Sequence, residues 1–142
     1  LTHEKALVQS GFEGLIHTIP CREFVPLIES GKLEGNELHE ITQHYLEPFH
    51  EMNLTTLIYG CTHYPWIADV IVRYLPPSVT CIDPAHHIVT QTTHTLMNLA
   101  LLNKSAVSQN VDFYCSARPD QFAEVTARFL LMPTPNVKLK TF

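Results

Sequence analysis

Basic residues are scarce in this sequence. Nine Lys and Arg stand against fourteen Asp and Glu, a formal net charge of −5, so the chain carries no electrostatic footprint for a phosphate backbone and no nucleic-acid partner is expected. Long apolar runs are missing too. No stretch approaches the roughly 20 residues that a membrane-spanning helix needs, which argues against a membrane partner, and the N-terminus has no charged-then-apolar leader. No segment repeats and none is of low complexity. Cysteine is sparse and scattered, at positions 21, 61, 81 and 115. With nothing pointing to export, reduced thiols in a cytoplasmic protein, mostly buried in strands, are the plain expectation. What remains is 142 residues, 45% apolar and 16% charged, enough for one core of an ordinary globular protein.

Periodicity places the elements. Ala6, Leu7, Phe12, Leu15 and Ile16 make residues 4–16 loosely helical, although Ser10-Gly11 weakens the pattern. Thr18-Ile19-Pro20-Cys21 reads as a short strand or extended link, and Phe24 to Glu29 as a helical turn stopped at Gly31. Leu38, Ile41, Tyr45 and Phe49 recur at steps of three and four and predict a helix over 36–52, with Asn36 as N-cap and Pro48 as a kink or break. A buried strand is expected at Leu54–Tyr59, then a helix at Trp66–Leu75 ended by Pro76-Pro77, and a strand at Val79–Asp83. Residues 85–102 predict a long helix with Ile88, Val89, Leu96, Leu99 and Leu102 inward. Lys104–Gln109 reads as a polar loop, Val111–Cys115 as a strand and Asp120–Leu131 as the last helix. An extended tail follows at Val137-Lys138-Leu139-Lys140. Strands alternating with helices imply an α/β fold, a parallel sheet flanked by helices on both faces.

One hexapeptide concentrates the chemistry: Gly60-Cys61-Thr62-His63-Tyr64-Pro65, between the strand Leu54–Tyr59 and the helix after it. A thiol, a hydroxyl and an imidazole there sit on a strand-to-helix turn, where α/β proteins usually place their sites. Gly60 is expected to allow a sharp turn and Pro65 to suit the first helical position. Free N–H groups and the positive end of the helix dipole should then face Cys61, an environment that favours thiolates and attracts anions. His63, two residues from Cys61, can point into the same cleft and take part in proton transfer. Thr62 can offer its hydroxyl and N–H to a carboxylate, or cap the helix. His86, His87 and His94 share one helix, but no Cys or acid completes a tetrahedral set at sensible spacing, so solvated histidines are expected and no metal.

The heptad Tyr59-Gly60-Cys61-Thr62-His63-Tyr64-Pro65 resembles the second signature of the glutamate racemase family, in which leucine takes the place of Tyr59. Other segments match in the same order: Cys21-Arg22-Glu23-Phe24-Val25-Pro26-Leu27-Ile28-Glu29, Cys81-Ile82-Asp83-Pro84-Ala85, and Phe113-Tyr114-Cys115-Ser116 with Asp120-Gln121-Phe122. The resemblance covers nearly the whole chain. It implies two pseudo-symmetric α/β lobes across a cleft, residues 1–84 belonging to the second lobe and residues 85–142 returning to complete the first, so that both sheets are incomplete here. It also implies cofactor-independent interconversion of L- and D-glutamate, which supplies D-glutamate for peptidoglycan, and the dimers common in the family. Two thiols on opposite sides of the α-carbon perform it, one accepting a proton while the other donates. Cys61 matches the second-lobe thiol. His63 and Glu29 match the residues beside it, the carboxylate orienting the imidazole, with Thr62 and His63 near the substrate. Cys21 also matches a family position, and nothing local activates it. Asp83 reads as structural.

The family's aspartate-serine-glycine and asparagine-threonine-cysteine turns have no counterpart, and the chain has no initiator Met. The expectation is therefore the second half of a racemase, inactive alone and needing the N-terminal half of the same enzyme as partner. Two other readings compete. One is a relative of the same superfamily: aspartate racemase, hydantoin racemase or arylmalonate decarboxylase. The Thr62-His63-Tyr64-Pro65 continuation argues against these. The other is a truncated, non-catalytic product.

Overall fold

The computed structural model describes residues 2–103 and 111–141, and the polar loop expected at Lys104–Gln109 lies outside them. The chain divides into two compact units, residues 1–101 and 102–142.

The first unit opens with α1, Thr2–Gln9, shorter than the periodicity over 4–16 suggested. Gly11 is the reason. At φ +86°, its N–H reaches Val8 O (3.0 Å) and the Phe12 N–H reaches Leu7 O (3.1 Å), a Schellman stop that glycine enters without strain. The same stop recurs after α2, Phe24–Glu29: Gly31 sits at φ +84°, with its N–H on Ile28 O and that of Lys32 on Leu27 O. Residues 18–21 are an extended link rather than a strand. Helix α3 runs Asn36–Leu46 and passes into a 3-10 turn, Glu47–Phe49, around Pro48. Asn36 is not the cap: Gly35 holds that position and no side chain caps the helix.

Strand β1, Thr56–Ile58, pairs in parallel with β2, Thr80–Ile82. Contrary to expectation β1 is not buried, since Thr56 and Ile58 lie exposed on one face of a two-stranded sheet. A 3-10 turn, Tyr64–Ile67, leads into α4, Ala68–Val72, which ends four residues before the Pro76-Pro77 pair expected to stop it. The core gathers Phe24, Leu27 and Ile28 from α2, Leu38, Thr42 and Leu46 from α3, and Tyr59, Ile67, Val70 and Ile71. Removing each large apolar side chain from water contributes about 1.5–3 kcal/mol. Thr42 is fully buried, but its hydroxyl donates to Leu38 O at 2.7 Å, so burial leaves no polar group unmatched.

Helix α5, Pro84–Asn98, starts at an Asp83 cap whose carboxylate accepts from the Ala85 N–H at 2.9 Å. Its expected inward face is not inward. Ile88, Val89 and Leu99 are 63%, 65% and 61% exposed, and no α5 residue is buried. The apolar spacing is real, but within the first unit these side chains stay exposed, with Leu96 half-buried.

In the second unit, β3, Phe113–Cys115, pairs in parallel with β4, Val137–Leu139. The segment expected as an extended tail is thus a paired strand. Helix α6, Pro119–Leu130, packs on both strands and buries Ala123.

Candidate active site

Parallel pairing delivers Cys61 to the edge of the β1–β2 sheet where both strands end. The Tyr59 N–H still donates to Ile82 O at 3.0 Å, and the chain then leaves the sheet at Gly60. Here the geometry departs from the sequence reading in three ways. Gly60 does not have a positive φ, and a Cβ placed on it would meet only His3 Cε1, at 4.0 Å, so the turn does not depend on glycine's freedom. The Tyr64 and Trp66 N–H groups are not free, since they donate to Cys61 O (3.2 Å) and His63 O (3.1 Å). Thr62 is exposed and does not cap: His63 takes the cap position of the 3-10 turn, with no side-chain cap. Pro65 stands at the start of that turn, as its fixed φ favours.

What the turn does achieve is a line of three groups. Cys61 Sγ lies 3.7 Å from His63 Nδ1, within reach of a sulfur hydrogen bond. On the other side of the ring, His63 Nε2 lies 3.3 Å from Glu29 Oε1. Glu29 arrives from α2, whose buried Phe24 packs edge-on against Tyr64 at 5.4 Å between ring centroids and against Tyr45 at 5.3 Å. The α2 core face thereby sets the Glu29 carboxylate beside the His63 imidazole, from 34 residues earlier in the sequence. The His63 and Glu29 side chains are 29% and 37% exposed, so the line is open to a small molecule. Chemically, a neutral His63 that donates Nε2–H to Glu29 turns its Nδ1 lone pair toward the thiol and can accept that proton.

Cys21 sits nearby in a different state. Burial, with Glu23 as the second cause, pushes its thiol up to about 11, and its Sγ lies 3.8 Å from Ile19 O. It stays protonated at neutral pH. The Tyr64 hydroxyl donates to Cys21 O at 3.3 Å, and burial followed by the charges of Cys21 and Cys61 pushes it up to about 12. Both acids are weaker folded than unfolded, so the unfolded chain loses its protons first. The stability gained from keeping them neutral is complete below about pH 9, the ordinary Cys value, and is lost as pH rises toward 11 and 12. The urea midpoint should therefore fall between pH 8.5 and 11. In Cys21→Ala the fall should begin at higher pH, and an identical profile in that variant would remove Cys21 as the cause.

The remaining candidates have plain roles. Asp83 caps α5. His86 Nε2 lies 4.0 Å from Asp83 Oδ2, and no group of three His, Cys, Asp or Glu side chains among the described residues is arranged to hold a metal. All four cysteines are free and half-buried, only Cys81 and Cys115 standing in strands. Tyr59 is buried and its hydroxyl is raised, first by burial and then by a hydrogen bond with Cys81. Tyr64 has no role in the sequence reading of the motif. Its hydroxyl ties the turn to the segment before α2, and nothing in its spacing announces that.

No protein-family model matches the chain. Curated relatives do. A glutamate racemase from Picosynechococcus sp. is 37% identical over 122 residues, 86% of this chain and 43% of that protein. One from Gloeobacter violaceus is 40% identical over 112 residues, 79% of this chain and 41% of that protein. Among solved structures, glutamate racemase from Francisella tularensis in complex with D-glutamate superposes with a TM-score of 0.81 and 30% identity, over 99% of this chain and 53% of its own. A Bacillus anthracis glutamate racemase isoform gives 0.86 over 99% and 52% at 22% identity, a likeness of fold. The chain thus spans less than half the length of these curated relatives and about half of the solved chains. No helix among the described residues is long and apolar enough to cross a membrane. In sequence and in α/β fold, this chain is similar to the glutamate racemases and matches a C-terminal half of them.

Proposed function

We propose that this chain supplies the second-lobe half of a glutamate racemase site, in which Cys61 exchanges the α-proton of glutamate. The observation that carries this reading is the Cys61–His63–Glu29 line at the end of two parallel strands. Deprotonating an amino acid at its α-carbon is difficult because that proton is weakly acidic. A thiolate at Cys61 takes it on one face while a second thiol, from the other half of the enzyme, returns a proton on the opposite face. His63 relays the Cys61 proton and Glu29 fixes its tautomer. Thr62, exposed beside the thiol, faces the substrate carboxylate. The two thiols do the work of a base and an acid, so no pyridoxal phosphate or metal enters the reaction, and its product feeds peptidoglycan synthesis in the cytoplasm.

Residues 1–84 then belong to the second lobe and 85–142 return to complete the first, with the N-terminal half of the enzyme as partner. The bare face of α5 supports that partner. Ala85, Ile88, Val89, Thr92, Leu96 and Leu99 share one helical stripe, and the relatives are about twice as long as this chain. Among the described residues more large apolar side chains are exposed than buried, as in a surface made to be covered. Ile88→Asp should leave the melting temperature of this chain within about 2 °C, because the site is already wet. It should abolish co-elution with a separately produced N-terminal half. Unimpaired co-elution would remove α5 from the interface.

The function is tested by α-deuterium uptake into L- and D-glutamate in heavy water, followed by proton NMR. The chain is assayed alone and mixed with the N-terminal half. Exchange in the mixture only is expected. Exchange by the chain alone would overturn the shared site, and exchange in neither sample would overturn the racemase reading.

A further inference from the structure

Resting on that reading, we propose that Tyr64 is a positioning residue: its hydroxyl, clamped on the Cys21 carbonyl, holds the turn so that His63 bridges Cys61 and Glu29. The two ends of the line come from elements with no covalent reason to be in register. Cys61 and His63 ride on the turn after β1, and Glu29 ends α2. A 3.3 Å contact between His63 Nε2 and Glu29 Oε1 and a 3.7 Å contact between Nδ1 and Cys61 Sγ must hold together. A shift of about 1 Å in either element breaks one of them.

Tyr64 is the residue that spans this gap. Its N–H donates to Cys61 O at 3.2 Å, closing the turn around the thiol. Its ring packs edge-on against Phe24, the first residue of α2. Its hydroxyl donates to Cys21 O at 3.3 Å, three residues before α2 begins. One side chain therefore fastens the turn to α2 by an apolar contact and to the segment leading into α2 by a polar one. The ring contact keeps the two elements packed. The hydroxyl adds direction, because a hydrogen bond to a backbone carbonyl restricts rotation and sliding that an edge-on aromatic contact allows. The hydroxyl also lies close enough to Cys61 for that thiol to count among the causes that keep it protonated, so it remains a donor throughout the pH range of the enzyme.

Tyr64→Phe separates the two contributions, because it keeps the ring and removes the clamp. The test uses the chain itself, with two readouts that do not require turnover. Long-range proton–nitrogen NMR of ¹⁵N-labelled chain reports which ring nitrogen of His63 carries the proton. Iodoacetamide labelling mapped to the Cys61 peptide reports the thiol's reactivity against pH. The wild type should show one dominant tautomer, protonated at Nε2. Tyr64→Phe should show a mixture of tautomers and at least about a threefold change in Cys61 labelling rate at pH 7.5, with a fall in melting temperature of only a few degrees. Phe24→Leu, which loosens the ring contact and keeps the hydroxyl, should lower the melting temperature and leave the His63 tautomer unchanged. An unaltered tautomer and labelling profile in Tyr64→Phe would overturn the proposal. Loss of fold in that variant would overturn it as well, since the hydroxyl would then be holding the core. Neither readout depends on glutamate. A failed deuterium exchange beside a positive Tyr64 result would thus reject the substrate and keep the positioning role.

Discussion

Cys61→Ala in the assembled two-half enzyme should lower racemisation by at least about 10³-fold, within the range that removal of a positioned proton-transfer group produces. Both directions should fall, because the same thiol takes the proton from one enantiomer and delivers it to the other. The folding stability should stay within about 1 kcal/mol of wild type. The side chain is only half-buried, and its polar partner His63 keeps both access to water and the Glu29 contact, so little is left unpaired. Urea unfolding and racemisation measured on the same preparation separate the two effects. Racemisation surviving in that variant would sink the assignment of Cys61. A large loss of stability would mean that the residue belongs to the fold rather than to the chemistry.

Glu29→Gln should be the second most damaging change. The carboxylate can only accept, so it selects the His63 form with a proton on Nε2 and leaves Nδ1 free toward the thiol 3.7 Å away. A glutamine amide can donate to Nε2 as readily as accept from it. The ring then populates the reversed tautomer, with N–H facing Cys61 and no lone pair to take its proton. The turnover number of the assembled enzyme should fall by about 10²-fold or more, with KM nearly unchanged, since Glu29 is proposed to act through His63. The same reversal should be visible in the His63 ring signals of this chain alone. Stability should change little, because a pair that is about a third exposed contributes at most about 1 kcal/mol. A rise in KM at constant turnover would instead place Glu29 on the substrate.

Experiment separates the competing readings. The curated relatives reported above are named glutamate racemases, the family that the heptad around Cys61 resembles. Ile88, Val89 and Leu99 stand in water on α5, as half of a larger protein and a truncated product would both leave them. The deuterium experiment on the mixture decides between the two.

Local rules carried much of the fold. Helices α2, α3, α5 and α6 and the strands β1, β2 and β3 follow from apolar spacing, proline and glycine, because each depends on residues within a few positions. Gly11 and Gly31 end helices where their positive φ is needed, a property of one residue and its neighbours. The errors fall where a distant surface decides. The stripe on α5 is legible as an amphipathic face, but spacing does not say whether anything covers it. Val137–Leu139 reads as a tail until β3 offers it a parallel edge. Gly60 is a separate, local case: it reads as the residue that allows a sharp turn, yet its φ is not positive.

The site divides the same way. The sequence by itself determined that Cys61 and His63 share a turn, because two residues of separation leaves them no choice, and it marked Glu29 only through its place after the Phe24–Ile28 run. Tertiary structure alone decided that Glu29 meets the far side of the His63 ring. That contact requires α2 to pack through Phe24 against Tyr64, and the burial of apolar side chains from segments far apart in the chain fixes it. Hydrophobic packing is non-directional and long in sequence range, so its outcome is not written in any local pattern. It brings the carboxylate near, and the directional bonds at Cys21, His63 and Cys61 set the final distances.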